Sequence, residues 1–219
     1  MSTDSEQNLK LFYIYDALCG WCYGFSPVVQ TFFQNHYSEF EFEVISGGMV
    51  RGNRIGTIGH IAPYISKAYK DVELRSGVVF GEPFLKKTLQ EGTAIFTSEP
   101  AAIAMSTYKL AGGTKQVEYA GAIQKAIYYW GKEPEDLEFY KELAEEFGVK
   151  GSEYEKRYTD GEKAAESEFE LVSGLGVEGF PSVIGEYGGK YYWLSRGYVS
   201  LEELEGRYGE LLKYVGKML

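Results

Sequence analysis

A strand–helix–strand pattern at the start of the chain limits the fold more than any other feature. Residues 9–15 (LKLFYIY) are rich in aromatic and β-branched side chains and apolar on both faces. Such a stretch predicts a strand whose sheet is covered on both sides. In the run that follows, CYGFSPVVQTFFQNHY, the residues Phe25, Val28, Val29, Phe32 and Phe33 recur at helical spacing. Residues 40–46 (FEFEVIS) alternate and predict a second strand. Strand, helix and strand in one sheet close as a right-handed unit with a parallel pair. Pro27 lies inside the predicted helix and predicts a kink, because it lacks an N–H and crowds the preceding turn.

Gly47 and Gly48 suggest a tight exit from the second strand. From there to about Gly148 the pattern is mainly helical. Residues 60–72 and 82–92 predict short helices. Residues 98–113 predict a stronger one, with Ser98 placed to cap it, Pro100 in its first turn and Gly112 to end it. Residues 115–131 and 134–148 are amphipathic, the second opening with proline and acids and stopping at glycine. A long helix is predicted over 152–173, with Gly161 as a point of interruption. Two strands joined near Gly188 and Gly189 follow. A last helix begins at Ser200, and Ser200 to Glu203 is a capping-box spacing. With the middle block set aside, the order is βαβαββα, which is that of a thioredoxin fold. The chain then divides into a first half of that fold (1–49), an inserted all-helical domain (50–150) and a second half (151–219).

The 219 residues contain two cysteines, Cys19 and Cys22, in a Cys-Gly-Trp-Cys run where the first strand meets the first helix. A helix N-terminus favours an anion. The thiolate is such an anion, and it is the nucleophile of thiol–disulfide exchange. Cys22 comes one turn later, on the same face and deeper, where it can attack a mixed disulfide. Zinc wants about four ligands. There is no third cysteine, and His36 and His60 have no ligand-like spacing, so no metal is expected. A pair of plain buried thiols is the bland alternative. A CxxC beside a βαβ pattern favours redox chemistry over it.

The formal net charge of −10 repels phosphates and anionic lipid, so neither nucleic acid nor membrane is an expected partner. No apolar run approaches transmembrane length. The polar opening MSTDSEQNLK shows no secretory signal, and a cytoplasmic location is expected. Cellular thiols there would reduce a structural disulfide. Trp130, Trp193 and the two Tyr-Tyr-Trp clusters are expected in the core. Pro181 opens a predicted strand in GVEGFPSVI. Read alone, it is an ordinary trans proline at a strand edge.

Taken together, CGWC after a strand, a proline eight positions after the first cysteine, and GFPSV before a late hairpin resemble the thioredoxin superfamily. The helical insertion resembles its DsbA branch. The spacing D-x-x-C-x-W-C-Y-G from Asp16 resembles the cytosolic FrnE-like and predicted disulfide-isomerase members of that branch. So do ISGGMVRG, SGVVFGEPF, TSEPAAIAM, LAEEFGV and GVEGFPSV, so that the resemblance spans nearly the whole chain. It implies an α/β, DsbA-like fold and a thiol–disulfide oxidoreductase of the reductase or isomerase type. Cys19 resembles the attacking thiol and Cys22 the resolving one. Gly20 and Trp21 form the intervening dipeptide, which tunes redox potential in the superfamily. Pro181 resembles the cis proline beside the active site, and Phe180 the residue whose main chain pairs with substrate. Asp16 matches the acid that precedes the CxxC; it is either a proton acceptor for Cys22 or a turn residue.

Two positions depart from the pattern. Tyr13 stands where thioredoxins carry a buried acid, and Gly-Trp stands where DsbA carries Pro-His. The resemblance implies no cofactor beyond the redox-active disulfide. Its implied partners are protein thiols and disulfides, with a low-molecular-weight thiol or a reductase supplying electrons. Two other functions occur on related folds. Kappa glutathione transferases and hydroxychromene-carboxylate isomerases use a serine and glutathione at the same helix start. Some cytosolic relatives are non-catalytic adaptors.

Overall fold

The computed structural model describes residues 9–216. The chain opens with β1 (Lys10–Tyr15), α1 (Gly20–His36) and β2 (Glu41–Ser46), and β1 and β2 pair in parallel. Next come the two-residue strands β3 (Gly56–Thr57) and β4 (Ile95–Phe96), which pair with each other, and between them α2 (Ala62–Ser76). The helices α3 (Glu99–Leu110), α4 (Gln116–Tyr128), α5 (Leu137–Glu146) and α6 (Gly151–Gly174) follow. The hairpin β5 (Ser182–Tyr187) and β6 (Lys190–Arg196) leads to α7 (Leu201–Gly216). The main sheet has the order β2-β1-β5-β6, with β5 antiparallel to both of its neighbours.

β1 is a central strand, and its alternation explains why it is apolar on both sides. Leu11, Tyr13 and Tyr15 join the core that holds Phe25, Val29 and Phe32 of α1 and Leu204 and Tyr208 of α7. Phe12 and Ile14 join Ile45, Ile184 and Val172 of α6 in a second core on the other face. Each large side chain so buried stabilises the fold by roughly 2 kcal/mol.

The insertion packs on the sheet unit through close helix contacts. A Cβ on Gly121 of α4 would overlap Ser26 and Gln30 of α1. One on Gly24 of α1 would sit 2.8 Å from Val72 of α2. A buried polar cluster also ties the insertion to β2. Glu168 of α6 accepts from the Ser46 N–H at 2.8 Å and pairs with Lys109 of α3, which also donates to the Val44 carbonyl at 2.9 Å.

Several local expectations change. Gly161 does not interrupt α6. It is the point where the helix meets α3, and a Cβ there would overlap Thr107. Ser98 does not cap α3, because its hydroxyl is spent on Asp16 and on the Val50 N–H. The segment expected as a helix at 82–92 is π-helical over Pro83–Leu89. Trp130 is not core: it is 61% exposed, since α4 ends at Tyr128 and Gly131 turns the chain with a positive φ. Trp193 is half-buried against the second core. α1 continues to His36 past Pro27, which is exposed. The capping box at α7 forms, with Ser200 and Glu203 exchanging bonds of 3.0 and 3.2 Å.

Candidate active site

The turn between β1 and α1 sets Cys19 as the N-cap of α1, in extended conformation. Its sulfur accepts from the Cys22 N–H at 3.3 Å, so it takes the place that a serine or aspartate oxygen usually fills. No acid stands in the first turn of α1 to oppose the helix dipole at that sulfur. The Cys19 thiol also donates to the Phe180 carbonyl at 3.5 Å. Cys19 is 6% exposed and Cys22 is fully buried. Burial pushes the Cys22 thiol well up, and the hydrogen bond and negative charge of Cys19 push it the same way. Cys22 therefore rests as a thiol.

Phe180 and Pro181 close the other side of the site. The peptide between them is cis. Pro181 is buried and its carbonyl accepts from the Gly197 N–H at 2.7 Å. Gly47 leaves room for the Phe180 ring, which a Cβ there would strike. Gly20 opens α1, and Trp21 lies half-buried against Tyr198, ring centroids 5.7 Å apart, with the Arg75 guanidinium 5.8 Å from its ring.

Asp16 sits under the turn and is 2% exposed. Its carboxylate accepts from the Leu18 N–H (2.9 Å), the Ser98 hydroxyl (2.9 Å) and the Met49 N–H (2.7 Å). Its main-chain carbonyl accepts from the Cys19 N–H and from the Gln124 amide. Burial raises the Asp16 carboxyl above its ordinary value, and the three hydrogen bonds reverse only part of that. Among the described residues no hydrogen bond joins its carboxylate to Cys22. The structure thus brings Asp16, Cys19, Gly20, Trp21, Cys22, Phe180 and Pro181 to one place, where β1, α1 and the loop before β5 meet. Among the described residues, no group of three His, Cys, Asp or Glu side chains could hold a metal ion.

No family model matches the chain, and no curated protein matches it. Solved structures do. A candidate protein disulfide isomerase from Nitrosomonas europaea superposes with a TM-score of 0.83 at 24% identity, over 95% of this chain and 99% of that one. The cytosolic disulfide reductase DsbM from Pseudomonas aeruginosa gives 0.76 at 24% identity, over 96% and 100%. DsbM has also been solved with GSH, and that structure gives 0.74 at 22% identity over 94% and 98%. Reduced DsbA1 from Neisseria meningitidis gives 0.60 at 13% identity, over 100% and 90%. The fold is DsbA-like.

In this DsbA-like fold the insertion supplies site residues that the sequence did not assign to the site, Ser98 having been expected only as a helix cap. Ser98 of the α3 turn and Gln124 of α4 hold Asp16. Helix α2, Phe80 and Tyr128 wall a cavity of about 270 Å³ whose floor carries Cys19. Its lining is mainly apolar, with Leu18, Met49, Ile61, Ile65 and Val72, and no Lys, Arg or His takes part. Gln124 could have been suspected, being a polar residue on the apolar face between Ala120, Ile123 and Ile127. Tyr128 carried no such signal, because an aromatic at a helical core position reads as packing.

Proposed function

We propose that the chain is a thiol–disulfide oxidoreductase of the reductase or isomerase type. One observation carries this reading: an N-cap thiol, Cys19, lies within hydrogen-bond reach of both the Cys22 N–H and the Phe180 carbonyl beside a cis proline. The Cys19 thiolate attacks one sulfur of a disulfide R–S–S–R′. A Cys19–S–S–R bond forms and R′S⁻ departs to take up a proton. Cys22 then gives up its proton and attacks the Cys19 sulfur, and RS⁻ leaves. The substrate gains two electrons and the protein is left with a Cys19–Cys22 disulfide. Two equivalents of a low-molecular-weight thiol, or a reductase, return it to the dithiol. The solved complex of DsbM with GSH supports the first of these electron donors. A cytoplasmic setting suits the direction, and the DsbM reductase of this fold is described as cytosolic. Protein disulfides are the proposed substrates.

Each residue has a role in this scheme. Phe180 and Pro181 receive the substrate chain, and Gly20 and Trp21 shape the approach to Cys19. Asp16 acts as a tie that holds the turn, since its oxygens are occupied by Leu18, Ser98 and Met49. The small-molecule transferase and isomerase reading shares this fold with a solved 2-hydroxychromene-2-carboxylate isomerase, but the two cysteines argue against it.

The test is insulin reduction with dithiol or glutathione as electron donor. Cys19→Ser should fall to the uncatalysed background. Cys22→Ser should accumulate mixed disulfides at Cys19. Full activity in the Cys19→Ser protein would sink the mechanism.

A further inference from the structure

The cavity beside Cys19 presents a chemical problem to any disulfide that reacts in it. As the Cys19 sulfur attacks a disulfide seated in the cavity, negative charge moves to the far sulfur. The lining offers no cation to meet that charge. It does hold neutral donors. Tyr64 is 70% exposed at the rim and Tyr69 is half-buried. Tyr128 is 2% exposed, at the last position of α4.

Three aromatic neighbours fix the Tyr128 ring. It stacks on Tyr23 at 5.4 Å and meets Phe80 and Phe84 edge to face at 5.1 Å each. The buried phenols around it are spoken for. Tyr23 donates to the Val79 carbonyl, Tyr119 to that of Tyr140, and Tyr140 to that of Pro134. The Tyr128 hydroxyl has no such partner among the described residues. Tyr13 and Tyr15 also carry unpartnered hydroxyls, but they lie in the core beneath the sheet and not in the cavity wall.

We infer that Tyr128 is a catalytic residue, whose hydroxyl donates a hydrogen bond to the departing sulfur of a disulfide bound in the cavity. The inference rests on the exchange reading above and assigns the insertion a part in the chemistry. The O–H bond stays intact. Cys19–S–S–R forms, the S–S bond of the substrate breaks, and the R′S⁻ so released is held by Tyr128 until solvent protonates it. Burial holds the phenol well above its ordinary value, and a negative charge on Cys19 raises it further, so the group remains a donor throughout. A mainly apolar wall also suits a disulfide with apolar or aromatic flanks over one rich in charge.

The experiment compares two small disulfides that differ in their leaving thiol. Bis(2-hydroxyethyl) disulfide releases an alkyl thiolate, which carries its full charge at once. 4,4′-Dithiodipyridine releases a delocalised thiolate that needs little help. Tyr128→Phe should lower kcat/KM for the alkyl disulfide by about tenfold or more, and for the pyridyl disulfide by less than about threefold. Tyr128→Met, a second substitution in case the first disturbs the fold, should give the same ratio, with the melting temperature read in parallel. Equal losses on the two substrates, or none, overturn the role of Tyr128 while leaving Cys19-dependent exchange standing. A wild-type protein with no Cys19-dependent exchange on either substrate overturns both readings together.

Discussion

Two buried carboxylates tie the insertion to the sheet, and they are built in opposite ways. Glu168, 8% exposed, faces a cation: Lys109 pairs with it, and the Ser46 N–H and Ser106 hydroxyl complete its shell. Asp16, 2% exposed, is hydrogen-bonded only by neutral donors, has no ion-pair partner among the described residues, and feels the Arg54 charge only as the smallest of the influences that lower it. In a buried ion pair, removing either partner strands the other. A buried carboxylate held by neutral hydrogen-bond donors without an ion pair keeps a native carboxyl that burial has lifted. The difference follows position. Glu168 joins α3 and α6 to Ser46 at the end of β2, whereas Asp16 lies in the turn that carries the dithiol, where a paired cation would bias every charge formed on Cys19.

The largest expected effect comes from breaking the paired site. Glu168→Leu leaves Lys109 with only Glu43 and the Val44 carbonyl, and should cost about 3 kcal/mol in urea unfolding. Exchange per folded molecule should be unchanged. Adding Lys109→Met should recover most of the loss, because it removes the stranded charge. A loss below about 1 kcal/mol would erase the contrast.

Asp16→Asn tests the unpaired site. Its amide turns a donor toward the Met49 N–H, and the cost at low pH should be about 2 kcal/mol. The pH dependence carries the sharper information. Because the native carboxyl is raised, the folded state keeps its proton where the unfolded chain has already lost it. That stabilisation is present below the unfolded value near 4 and is lost as pH rises through the native value. The gap between wild type and Asp16→Asn should therefore narrow over that window. A gap that widens with pH would mean that the ionised form is the favoured one.

Ser98→Ala should have the smallest effect, about 1 kcal/mol. Its signature is the position of the Asp16 window, which should move to higher pH once the hydroxyl donor is gone. The start of α3 should stay intact in hydrogen exchange, since Ser98 does not cap it.

The contrast between the two carboxylates also shows what could be read in advance. Periodicity gave β1, α1 and β2 because each satisfies its own pattern locally. The capping box at α7 was legible for the same reason: both partners lie within one turn. Ser98 misled because the same hydroxyl can serve a helix N-terminus or a distant carboxylate, and only the fold brings Asp16 within 2.9 Å. Trp130 misled because its burial depended on where α4 stops. Gly161 looked like a break and is a contact, since Thr107 occupies the space its side chain would need.

The sequence by itself determined the βαβ start, the hairpin and closing helix, and a dithiol at a strand-to-helix junction. These rest on interactions between residues close in the chain. Tertiary structure decided the rest. It set the cis peptide at Pro181 beside Cys19, the turn of Asp16 toward Ser98 and Met49, and the cavity that Tyr128 and α2 raise over the thiol. Those features join residues about 30 to 160 positions apart, and no local propensity encodes which buried donor will meet which buried acceptor.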